Sequence, residues 1–164
     1  MTTKTCPGCR VELEPFEGPT HRYIESSPAC WAKYGELLAR EYEDRRFMTV
    51  HRLTVDAYAV QHPGQDSPQA VRSVAGHLIS LHAIFEHDLP VGQATPLLRR
   101  MRDFDDYVRL ERPVRPGTLD VLHPLAATTA EEHESRVRAW ARSAYESWAR
   151  EHQRIADWYR RLRS

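Results

Sequence analysis

Apolar residues recur at spacings of three and four through most of this chain, the pattern of amphipathic helices with one face turned to a core. Ser26-Ser27-Pro28 opens the first, with a serine cap and proline at the first helical position. Trp31, Tyr34, Leu37, Leu38 and Tyr42 form its apolar stripe. A second helix is predicted over about 49–61, carrying Val50, Leu53, Ala57 and Val60. It ends at His62-Pro63-Gly64, because a proline disfavours helical geometry in the residue before it. Ser67-Pro68 starts a third, with Val71, Val74, Leu78, Leu81 and Phe85 running towards His87. Thr95-Pro96 begins a shorter one with Leu97, Leu98, Met101 and Tyr107, and Arg112–Gly117 reads as a stiff connector. Thr129-x-x-Glu132 is a capping box opening one long last helix, striped by Val137, Ala141, Ala144, Trp148, Ile155, Trp158 and Leu162.

Residues 1–27 break this pattern. They carry Pro7, Pro15, Pro19, Gly8 and Gly18, and suggest a turn at 6–9 followed by a short hairpin of Val11–Glu14 with His21–Ile24. The chain is therefore expected to be all-α: a helical bundle over 28–164, with a small N-terminal cap over 1–27 continuous with it as one domain.

The cap holds the most specific chemistry. Cys6-Pro7-Gly8-Cys9 is two thiols two residues apart, the spacing of half a tetrahedral zinc site, and the only other cysteine is Cys30. Cys30 falls in the first turn of the first helix, where free N–H groups and the helix dipole favour a thiolate. A knuckle, a hairpin and then a ligand in a helix first turn is a treble-clef-like plan. A redox dithiol would follow a strand and open a long helix, and neither flanks this pair. Three cysteines cannot all pair as disulfides.

Nine histidines could supply a fourth ligand. The first two helices are joined by so short a turn that they should run antiparallel, which returns His62 to the level of Cys30 and leaves His51 at the far end. His62 is ranked first as the metal ligand and His21 second. The same folding argument places His51 and Asp56 opposite His77, a polar cluster that could act as a general base, hold a catalytic metal, or simply fix helix register. His82 and His87 rotate off that face towards solvent. Trp140, Tyr145, Trp148, Trp158 and Tyr159 make the last helix aromatic, which reads as packing.

Composition narrows the function classes. Lys plus Arg equals Asp plus Glu at 23 each, so no net field draws the chain to nucleic acid or anionic membrane. Its basic runs are interleaved with acidic residues, as on a solvated face. No apolar run approaches the ~20 residues that span a bilayer. Met1-Thr2-Thr3-Lys4-Thr5 does not look like a signal peptide, and unpaired thiols fit a reducing cytoplasm.

Several runs together resemble a family of bacterial proteins of unknown function. They are the Cys6–Cys9 knuckle, Ser26-Ser27-Pro28-x-Cys30-Trp31 and the distinctive Val55-Asp56-Ala57-Tyr58-Ala59-Val60-Gln61-His62-Pro63-Gly64, with Ser73-Val74-x-x-His77-Leu78 and Trp140-Ala141-x-Ser143. The resemblance implies that Cys6, Cys9, His21, Cys30, His51, Asp56, Gln61, His62 and His77 stand at motif positions, and it implies no activity. Two roles follow from the residues. One is a zinc-binding module whose Zn2+ is structural and whose partner is an unidentified protein or small molecule. The other is a small metal-assisted or acid–base enzyme built around His51, Asp56 and His77.

Overall fold

The three longest helices pack around one shorter helix of unusual composition. Helix α2 (His51–Gln61) buries Leu53, Ala57 and Val60, but also Thr54, Asp56 and Gln61. A computed structural model describing residues 2–164 surrounds it with α1 (Pro28–Glu43), α3 (Pro68–His87) and α6 (Ala130–Glu146). Helix α4 (Ala94–Leu98) and the four-residue α5 (Leu122–Leu125) close the ends, and α7 (His152–Arg163) lies on α3. The protein is all-α, with strand confined to β1 (Lys4–Thr5) and β2 (Glu12–Leu13) among the described residues.

The starts follow the caps. Ser27 and Ser67 accept from the N–H groups of Cys30 and Ala70, each with proline next in line. Thr129 accepts from Glu132, whose carboxylate reaches the Thr128 N–H at 2.9 Å, so the box closes one residue early. Helix α2 stops at His62 (φ −126°), immediately before Pro63. A turn of 3-10 helix over Met48–Val50 precedes it, and the shorter helical stretch near Pro96 is α4 flanked by 3-10 turns, ending at Asp103.

Several expectations fail. The predicted hairpin is replaced by β1 pairing antiparallel with β2, Lys4 opposite Leu13, around the Cys6–Cys9 turn. The 21–24 segment pairs elsewhere, through a bridge of Ile24 to Pro63.

The predicted single last helix is two, α6 and α7, joined by Ser147-Trp148 and a 3-10 turn over Ala149–Glu151. Neither glycine nor proline causes the break. Trp148 turns inward, almost fully buried, and donates to the Val60 carbonyl of α2 at 3.2 Å. The His152 ring then donates to the Tyr145 carbonyl at 3.0 Å, serving an acceptor of the interrupted ladder. Burying the indole outweighs the backbone preference for a continuous helix.

His82 does not face solvent either. It is buried, 2.8 Å from the Tyr145 hydroxyl, and burial followed by the nearby His87 pulls its pKa down to about 4. On α1 the inward row is Cys30, Tyr34, Leu37 and Glu41, while Tyr42 is 67% exposed.

Candidate metal centre

The cap folds against the bundle through its cysteines. Cys6 directly follows β1, so a short strand does precede the pair where none was expected, though no long helix follows it. Its N–H and C=O bond Val11 and Arg10, closing the tight turn that presents both sulfurs. Arg10 takes a left-handed conformation there (φ 71°). Cys30 is the third residue of α1, its N–H held by Ser27 Oγ, while the Ser27 N–H points at Cys6 Sγ from 3.5 Å. The fourth side chain comes from the end of α2.

Those four side chains, Cys6, Cys9, Cys30 and His62, place one potential ligand atom each within 4.8 Å of one another, and all four residues are buried. Cys9 Sγ lies 3.7 Å from Cys30 Sγ, too far for a disulfide, and Cys30 Sγ is 3.5 Å from His62 Nε2. His62 is aimed by its surroundings. Its Nδ1–H donates to the Tyr58 carbonyl at 2.6 Å, leaving Nε2 as a lone pair towards the sulfurs. Its ring stacks on Tyr58 at 3.9 Å, and Tyr58 stacks on Tyr34 at the same separation. The Tyr58 hydroxyl donates to Cys30 Sγ.

Three close sulfurs alter one another's ionisation. Contact with the Cys30 and Cys9 thiols holds Cys6 well below the ordinary thiol range. The same contacts, Cys30 first, and then burial push Cys9 far up, and Cys30 is pushed up to about 12, chiefly by Cys6. One negative charge is stabilised by its neighbours, whereas a second and third are resisted until a positive ion joins them. Arg112 adds a strap from outside, bonding Glu25 at 2.6 Å and reaching the Pro7 carbonyl at 3.5 Å. His21 is not in this group. It is exposed, beside Tyr23 and Trp31.

The other proposed cluster is assembled only in part: Asp56 and His77 meet, whereas His51 does not join them. His77 Nδ1 lies 2.7 Å from Asp56 Oδ1, and the same buried carboxylate takes Arg52 at 2.9 Å and Ser80 at 2.5 Å. His51 belongs elsewhere, with Nδ1 2.7 Å from Glu41 Oε2. The physical reason is helical phase: residues five apart on α2 point about 140° from each other, so His51 meets α1 while Asp56 meets α3. Glu41 is a buried hub that the sequence reading passed over, also joined by Thr54 and by His133 at 2.9 Å. Burial raises its pKa, but the donors His133, His51 and Thr54 outweigh that and hold it low. The spacing of Glu41 from Tyr34 and Leu37 was the signal that could have found it. Gln61 is a second such hub. It accepts from Trp140 Nε1 at 2.8 Å and donates to the carbonyls of Pro116 and Leu119, both at 2.7 Å.

Among the described residues no helix is long and apolar enough to cross a membrane. No curated protein and no solved structure matches the chain. The chain belongs to DUF5946, a family of unknown function, whose family model matches residues 4–149.

Proposed function

We propose that this member of DUF5946 is a zinc-binding protein in which Cys6, Cys9, Cys30 and His62 hold a structural Zn2+ that fastens the N-terminal cap to the bundle. It works as a binding or regulatory module in a reducing cytoplasm, engaging a protein or small molecule, and does no chemistry at the metal. One observation carries this reading. With Zn–S near 2.3 Å and Zn–N near 2.0–2.1 Å, a tetrahedron has S···S and S···N edges of about 3.8 and 3.6 Å; the separations here are 3.7 and 3.5 Å. Three thiolates and one imidazole also complete the shell, leaving no position for substrate.

Elemental analysis of purified protein tests the metal, with one zinc per chain expected. Cys9→Ser, Cys30→Ser and His62→Ala should each lose zinc and thermal stability together, whereas His21→Ala keeps both. Full zinc occupancy in the cysteine variants would overturn the reading.

One geometric feature favours a second reading for α2 and α3. The His77 Nδ1 contact to buried Asp56 leaves Nε2 of a partly exposed ring free, the arrangement of an oriented base. Denaturation of His77→Ala beside a screen of small-molecule ligands separates the two. Marked destabilisation with no ligand shift favours a register-fixing network, and unchanged stability with a lost ligand favours a site.

A further inference from the structure

We infer that His82 and His87 form a second metal site, open to solvent and selective for borderline divalent ions such as Ni2+, Cu2+ and Zn2+. It is independent of the cysteine centre and lies where α3 ends against α7.

The two rings face each other through the same atom: His82 Nε2 and His87 Nε2 are 3.3 Å apart. Such a pair shares either a proton or a cation. With metal–nitrogen bonds of 2.0–2.1 Å, that separation subtends an angle of about 105–110° at the ion, the tetrahedral value. The spacing of the two nitrogens already matches what such an ion needs.

Each ring is held for the task. His82 is 6% exposed and its Nδ1 is 2.8 Å from the hydroxyl of Tyr145. A histidine that gives its Nδ1–H to a fixed oxygen presents Nε2 as a lone pair, as metal-ligating histidines do. Tyr145 is itself fixed, stacked on His152 at 4.2 Å with the His152 ring bonded to its carbonyl. His87 is the last residue of α3, stacked on Tyr159 at 4.4 Å, and Tyr159 also meets His82 edge-on. Asp88 stops the helix in a left-handed conformation (φ 51°).

The chemistry follows from the donors. Among the described residues neither imidazole is in an ion pair with a carboxylate, and imidazole nitrogen selects Zn2+, Ni2+ and Cu2+ over Mg2+ or Ca2+. Two protein ligands leave at least two positions for water or an exchangeable anion. His87 is exposed, so an ion can enter from solvent.

The test is calorimetric titration of Ni2+ into the full chain carrying one equivalent of zinc, the amount the cysteine centre holds, with excess zinc removed. The wild type should take up one further equivalent, and Mg2+ none. His87→Ala should abolish that uptake while leaving the melting temperature unchanged. His82→Gln should abolish it too, and Tyr145→Phe should weaken it about ten-fold, the usual loss when the group orienting a ligand is removed. No further equivalent in the wild type would mean a shared proton only and would overturn the proposal. So would uptake that survives both His87→Ala and His82→Gln.

Discussion

Gly8 is pressed against His62: a methyl group on its Cα would lie 2.3 Å from Cδ2 of the ring, and 2.5 Å from the Glu25 carbonyl. The knuckle and the end of α2 touch with no room between them, so the glycine is required by its neighbour and not by its own backbone angle. Gly8→Ala must therefore move the ring or open the turn. We expect loss of metal from this variant under competition with a chromogenic chelator. Gly35→Ala is the matched control, because a Cβ there meets nothing within 4 Å. In the interior of α1 it should raise stability by about 0.5–1 kcal/mol and leave metal binding unchanged.

Arg10 holds a left-handed conformation (φ 71°) just after Cys9, which costs a residue with a Cβ roughly 1–2 kcal/mol. Its side chain is exposed. Arg10→Gly should stabilise the folded protein by up to about 1 kcal/mol, less the extra freedom glycine has when unfolded. Urea denaturation of the metal-loaded protein would read this, and a lower midpoint would contradict it.

Glu41 predicts the response to acid. Its folded pKa lies below the ordinary carboxyl value, so its contribution is present above the unfolded value of 4.5 and is lost as pH falls through the lower folded value. Melting temperature should drop steeply below about pH 4.5 in the wild type. Glu41→Gln should start lower, by about 3–5 kcal/mol for an emptied buried pair, and show a shallower acid limb. Parallel melting curves from pH 7 to pH 3 would show both.

Gln61 joins three segments distant in sequence. Gln61→Leu keeps the volume but strands the Trp140 N–H and the carbonyls of Pro116 and Leu119. Each unsatisfied buried group costs about 1–3 kcal/mol, so this variant should be among the least stable. Its 112–119 connector should also exchange amide hydrogens faster. Wild-type stability in Gln61→Leu would mean that water replaces the amide without loss.

Local signals were enough for the helix starts, because Ser27-Pro28, Ser67-Pro68 and Thr129 each act within one turn. The meeting of His62 with Cys30 was legible because consecutive helices are expected to pair antiparallel, although their connection is longer than the very short turn expected, spanning residues 44–50 with a 3-10 turn over Met48–Val50. What could not be read depends on partners remote in sequence. Trp148 breaks its helix to reach Val60, and His82 is buried by Tyr145, contacts no local pattern encodes. The separation of His51 from Asp56 and His77 was available in principle from helical phase alone. Glu41 escaped notice because a carboxylate on an apolar stripe is discounted until its donors are known. His133, the most distant of them, lies on α6.

The order of Cys6, Cys9, Cys30 and His62 along the chain bears on how the protein is made. Cys6, Cys9 and Cys30 emerge before His62, which follows only after the rest of α1 and all of α2. At about 5–20 residues per second, the nascent chain displays three thiols without their imidazole for a few seconds. If the proposed zinc site holds, the cap cannot mature ahead of the bundle, since its last donor comes from the end of α2. A chain stalled or truncated before His62 would carry three thiols without the imidazole that gathers with them in the finished fold.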